Sequence, residues 1–138
     1  MIVVSDTSPV LNLARIGRLD LLERLYGQVL MPSAVLQELR LVASGLDATF
    51  DIDALPWFIV ADASDRRRVD ELRTNLDSGE AEAIALAIEH RADLLLIDEK
   101  LGRRIASAEG LTVTGLLGVI AHAKRVGPLL RQSRSLMT

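Results

Sequence analysis

Cysteine is absent from the chain, and aromatic side chains are scarce, with one Trp, one Tyr and two Phe in 138 residues. Without cysteine there is no disulfide, no thiolate metal site and no thiol nucleophile. Only two histidines occur, His90 and His122. Both fall on helical segments away from the other polar features and read as structural or exposed. No apolar run approaches the roughly 20 residues that cross a bilayer, and no basic stretch precedes the apolar MIVV, so no membrane role is expected. The cytoplasm is the expected compartment. Positive charge is not in excess either, at net −3 and pI about 5.4, which argues against a large nonspecific nucleic-acid footprint. Arginine is nonetheless clustered, at Arg66-Arg67-Arg68, Arg103-Arg104, Lys124-Arg125 and Arg131/Arg134. The ordinary reading of such clusters is a solvated helix face.

What the chain does have is apolar side chains, 49% of the total, enough for one domain over residues 1–138 to bury a core unaided. The pattern alternates strands with helices. Ile2–Ser5, Gln28–Met31, Trp57–Ala61, Asp93–Ile97 and Leu111–Val113 read as short buried strands. Ser8-Pro9 reads as an N-cap with proline at the first helical position, opening a helix that runs to about Ile16 and stops at Gly17. Further helices are expected over Asp20–Tyr26, Pro32 to about Val42, Asp65–Asn75, Gly79–His90, Lys100–Glu109 and Leu116–Val126. A loop or lid is expected at Ala43–Pro56 and a basic tail after Pro128. This order implies βαβ units, an α/β fold and a parallel sheet covered on both faces.

Two strands end in carboxylates: MIVVSD at Asp6 and LLLID at Asp98, with Glu99 next. In an open parallel sheet, ligands bind at the carboxyl edge, so Asp6 and Asp98 converge if their strands are neighbours. Glu38 projects from an apolar stripe formed by Ala34, Val35, Leu39 and Val42, so it faces protein and needs a cation, a partner or a proton. Glu80 shares its side of the next helix with Ile84 and Ile88, whereas Glu82 points the other way. Singly, each acid has a plain explanation. Asp6 and Asp98 could cap the helices after them, Glu38 could pair with an arginine, and Asp77-x-x-Glu80 could be a capping box. Together they can reach one edge. Two charges about 4 Å apart repel by roughly 4 kcal/mol at an effective dielectric near 20, so such a group calls for protons or divalent cations. Oxygen donors without Cys or His select Mg²⁺ or Mn²⁺.

The segments VVSDTSPVLNLARIG, VLMPSAVLQEL, LDSGEAEAIALA, DLLLIDEKLGRRIA and LTVTGLLGVIAHAKRVG, in this order, resemble the PIN-domain family, in a prokaryotic branch related to VapC-type toxin ribonucleases. The resemblance implies a three-layer α/β/α sandwich around a central parallel sheet and a metal-dependent ribonuclease site. It implies Asp6, Glu38, Glu80 and Asp98 as the catalytic and metal-holding acids, with Glu82 and Glu99 as additional candidates. Ser8 matches the small polar residue that supports the first aspartate. Two of the acids are Glu where many toxin relatives have Asp, and the tail at 128–138 is shorter than in many of them. The implied partners are an RNA substrate, a small antitoxin protein and a second copy in a homodimer.

On this reading Mg²⁺ or Mn²⁺ held by the acids promotes hydrolysis of an RNA phosphodiester, with Arg103 and Arg104 as candidates to guide the RNA backbone. Two rivals remain. One is a catalytically inactive PIN-like binding module. The other is an aspartyl-phosphate phosphotransfer domain, against which the missing D-x-D after the first strand counts.

Overall fold

The computed structural model describes residues 1–43 and 51–137. Its five strands are β1 (Val3–Ser5), β2 (Val29–Met31), β3 (Phe58–Val60), β4 (Leu94–Leu96) and β5 (Val113–Thr114). They form one sheet in the order β3-β2-β1-β4-β5, and every pairing is parallel. Successive side chains leave a strand on opposite faces. Val3, Val29, Met31 and Leu96 therefore join one core, and Val4, Leu95 and Ile97 join another. The first core is closed by side chains of α1 (Thr7–Arg15), α2 (Asp20–Tyr26), α3 (Ser33–Ala43) and α7 (Leu116–Met137). The second is closed by α4 (Arg66–Leu72), α5 (Ser78–Glu89) and α6 (Lys100–Ala108). This is the three-layer α/β/α sandwich.

Helix ends follow local chemistry. At α1 the amide of Gly17 donates to the Ala14 carbonyl and that of Arg18 to Leu13, a Schellman stop that needs the positive φ of 68° at Gly17. Gly110, at φ 85°, ends α6 in the same way, with the Leu111 amide on the Ala106 carbonyl. That bond assigns Leu111 to the helix cap, and it is why β5 starts at Val113 rather than at the expected Leu111.

Two expectations need correction. The last helix does not stop at Val126 but runs through Pro128 to Met137, so the segment after Pro128 is helical. Proline removes one intrahelical hydrogen bond at that point without breaking the element. The expected lid is also more anchored than foreseen at its C-terminal part. Ile52–Ala54 forms a 3-10 helix with Ile52 in the core, and Asp53 pairs with Arg40 of α3 at 2.5 Å. Residues 44–50 of that expected lid lie outside the described residues. Among the described residues, no helix is long and apolar enough to cross a membrane.

Candidate active site

The strand order reverses direction between β1 and β4, since β2 and β3 continue on one side and β5 on the other. A crevice opens at such a reversal, beyond the carboxyl ends of the strands. Asp6 follows β1 and Asp98 follows β4, and β1 and β4 are hydrogen-bonded neighbours. The Asp6 amide extends that pairing by donating to the Leu96 carbonyl at 2.9 Å. Two carboxylates thus stand on either side of the crevice because their strands are parallel and in register.

Asp6 is only 4% exposed. It occupies the N-cap position of α1, yet its side chain makes no capping bond, so the plain explanation for its presence fails. Its carboxyl is pushed up to about 7, chiefly by burial, with the Thr7 amide pulling it down and the charges of Asp77, Glu38 and Asp98 adding to the rise. Glu80 is also buried, and it is pushed up to about 8 by burial, by hydrogen bonding to Asp77 and by the charges of Asp77, Asp6 and Glu99. Five acids besides Asp6 therefore share its neighbourhood or that of Glu80, from α3, the start of α5, and the β4–α6 turn.

Each flanking acid is held by a specific neighbour. Glu38 accepts a hydrogen bond from the Thr7 hydroxyl at 2.5 Å and lies against Gly79. A Cβ added at Gly79 would come within 2.7 Å of Glu38 Oε1. Asp98 accepts from the Leu116 amide at 2.7 Å and from the Asn12 side-chain amide at 3.4 Å. It therefore caps α7, not α6 as its place in the sequence suggested. A side chain on Gly115 would collide with Asp98 Oδ1, so this glycine too makes room for a carboxylate.

Three expected site residues are placed elsewhere. Glu82 is buried against α4, where Arg66 holds it with two bonds of 2.9 and 2.5 Å. It is not brought to the acidic edge, because α5 directs residues 80 and 82 about 200° apart. Ser8 is exposed, and the hydroxyl beside Asp6 that turns inward belongs to Thr7. The helix starts at Thr7, two residues before the expected proline start, and this rotates Ser8 outward. Of the arginine pair, Arg103 lines a cavity beside Asp98, whereas Arg104 is exposed and does not. Glu99 is exposed at the N-cap of α6 and acts on Glu80 through its charge. The histidines are structural or peripheral: His122 stacks on Tyr26 with ring centroids 6.2 Å apart, and His90 is the exposed C-cap of α5.

Thr7, Asn12 and Asp77 were not singled out as site residues from sequence. Asp77 does cap α5, accepting the Glu80 amide at 2.8 Å, but it is also the foremost charge acting on Asp6.

The donor chemistry suits a hard divalent cation: the gathered acids offer carboxylate oxygens, two of them cradled by glycines, with Asp6 and Glu80 held against ionisation by burial and then by neighbouring acids. The expectation that the acids together reach one edge and share divalent cations is corrected in one respect. Among the described residues, no three acidic or imidazole groups stand close enough to hold an ion as they are placed. Glu38 is anchored by the Thr7 hydroxyl, and Asp98 separately by the Leu116 amide and Asn12.

An α/β/α protein with acids gathered at its switch point is the class the geometry defines. A family model described as PIN domain matches residues 2–138, and the chain belongs to the PIN-domain family. Among solved structures it is similar to a PilT N-terminus domain protein from the hyperthermophilic archaeon Sulfolobus solfataricus P2. That similarity has a TM-score of 0.60 and 18% identity, and it covers 89% of this chain and 93% of the other. No curated protein matches the chain. PIN domains are typically nucleases and generally use divalent metal ions.

Two predictions separate the edge from the scaffold. Gly79→Ala should displace the Glu38 carboxylate and slow any cleavage the edge supports by about 10²-fold, since displacements near 1 Å carry penalties of that size. Its circular dichroism and melting temperature should stay near wild type. Glu82→Gln should do the reverse, costing about 1 kcal/mol in urea denaturation while leaving cleavage within about twofold. The cost is small because Arg66 is 55% exposed and solvent screens the pair.

Proposed function

We propose that the protein is a divalent-metal-dependent ribonuclease that hydrolyses RNA phosphodiester bonds. The observation that carries this reading is the gathering of Asp6, Glu38, Glu80 and Asp98 at the switch point of a PIN fold, with Asp6 and Glu80 pushed far above ordinary carboxyl values. Asp6 and Asp98 would hold Mg²⁺ or Mn²⁺, with Glu38 and Glu80 completing the shell. A cation bound there would supply charge neutralisation at the scissile phosphate and lower the pKa of an attacking water.

The protein's own groups do the rest. Thr7 orients Glu38, and the Leu116 amide with Asn12 orients Asp98. Glu80, pushed up to about 8 by burial and by Asp77, holds a proton at neutral pH that it would give up on joining the cation's shell. Arg103 stands beside Asp98, where it can meet the RNA backbone and offset the negative edge. A toxin role, with a small basic antitoxin covering the acidic edge, is the biological setting proposed for this activity.

The second reading, a PIN scaffold that binds without cutting, draws on one fact: among the described residues, no three acids are placed to share an ion. One experiment separates the two. Purified protein with Mn²⁺ should cleave a labelled, unstructured RNA, EDTA should stop it, and Asp98→Asn should slow it by at least about 10²-fold. Equal cutting by wild type and Asp98→Asn would assign the signal to a contaminant. No cutting by either would favour the binding module.

A further inference from the structure

Beside Asp98 lies a cavity of about 430 Å³, walled by Asn12 of α1, Arg103 of α6, Thr114 of β5 and Leu117 with Gly118 at the start of α7. Its contents are of two kinds. Asn12 offers an amide and Thr114 a hydroxyl, whereas Leu117 is an apolar side chain left 80% exposed at the rim. An amide can pair with a donor and an acceptor on the edge of a base, and an exposed leucine gives a base face something to lie on. The two bonds Asn12 makes are long, 3.4 Å to Asp98 and 3.5 Å from Arg15, so they are readily exchanged. Gly118 lets Thr114 pack directly against the start of α7, because a Cβ there would collide with the Thr114 hydroxyl. Arg103 reaches both the cavity and the Asp98 side of the crevice, where a phosphate linking the two would lie.

We infer that this cavity receives the nucleobase of the unpaired nucleotide adjoining the cleaved bond, and that Asn12 and Leu117 set the base preference there. The inference rests on the acidic edge being the cleavage site, but its binding arm can be read without cleavage. Isotope-labelled protein is titrated with each of the four nucleoside 5′-monophosphates, followed by the amide signals of Asn12, Leu117 and Gly118. At least one nucleotide should shift these signals, and Asn12→Ala and Leu117→Ala should each weaken it about tenfold. In parallel, the ends produced from a randomised single-stranded RNA are sequenced.

Wild type should show a base preference at one position next to the cut, and Leu117→Ala, a change at an exposed side chain, should flatten it. Nucleotide-induced shifts at the three residues without any RNA cleavage would keep the pocket and remove the nuclease reading. RNA cleavage with a flat preference and no shifts at these residues would remove the pocket and keep the nuclease. Shifts or a preference unchanged in both variants would also overturn the assignment to Asn12 and Leu117.

Discussion

Asp6→Asn is expected to melt at a higher temperature than wild type in EDTA at pH 8, while losing at least about 10²-fold of its Mn²⁺-dependent RNA cleavage. The two effects have one origin. The Asp6 carboxyl is buried among other acids and pushed up to about 7 from 3.8. Below 3.8 it is protonated in both folded and unfolded chains and costs nothing. Between 3.8 and about 7 the unfolded chain ionises while the folded one keeps its proton, so stability falls as pH rises. Above 7 the penalty is complete, with a ceiling on the order of 4 kcal/mol. Asparagine keeps the shape but carries no charge, so it removes the penalty. It also removes a ligand for the cation, hence the loss of activity. A group that destabilises the fold and is needed for function is the ordinary signature of a site, not of a core. Equal melting of the two proteins at pH 8 would show that Asp6 does not carry that charge burden.

Much of this was legible in the chain because each signal was local. The apolar β-branched run at Ile2–Ser5, the alternation of strands with helices, and the stop at Gly17 all concern neighbours in sequence. Asp6 and Asp98 could be placed at strand ends for the same reason. What could not be read were contacts made across the fold. Asn12 looks like any polar residue on a helix until β4 brings Asp98 to it, 86 positions away. Thr7 and Ser8 are indistinguishable until the start of α1 is fixed, and a shift of two residues decides which hydroxyl faces Glu38. Asp77 announced itself as a cap and is one; its second role, as a charge on Asp6, follows only from the packing of α5 against β1. Glu82 misled in the opposite sense, since its carboxylate satisfies Arg66 of α4 and leaves the edge alone.

Mn²⁺ should stabilise the protein strongly at high pH and hardly at all at low pH. At pH 5.5 Asp6 and Glu80, pushed up to about 7 and about 8, hold their protons, and a cation must displace them to bind. At pH 8.5 both are largely ionised and repel each other and their neighbours, so a cation relieves a strain already present. Saturation at about 100 times the dissociation constant stabilises a fold by about 2.7 kcal/mol, or roughly 5–10 °C of melting temperature for a chain of this size. A shift of that size at pH 8.5, falling below about 2 °C at pH 5.5, is the expected result. In Asp6→Asn the shift at pH 8.5 should shrink to less than half, because one carboxylate of the set is neutral at every pH. The measurement is thermal denaturation, which needs neither RNA nor turnover and so tests the edge independently of the chemistry proposed for it. The same shift at both pH values, or an undiminished shift in Asp6→Asn, would place the cation somewhere other than between β1 and β4.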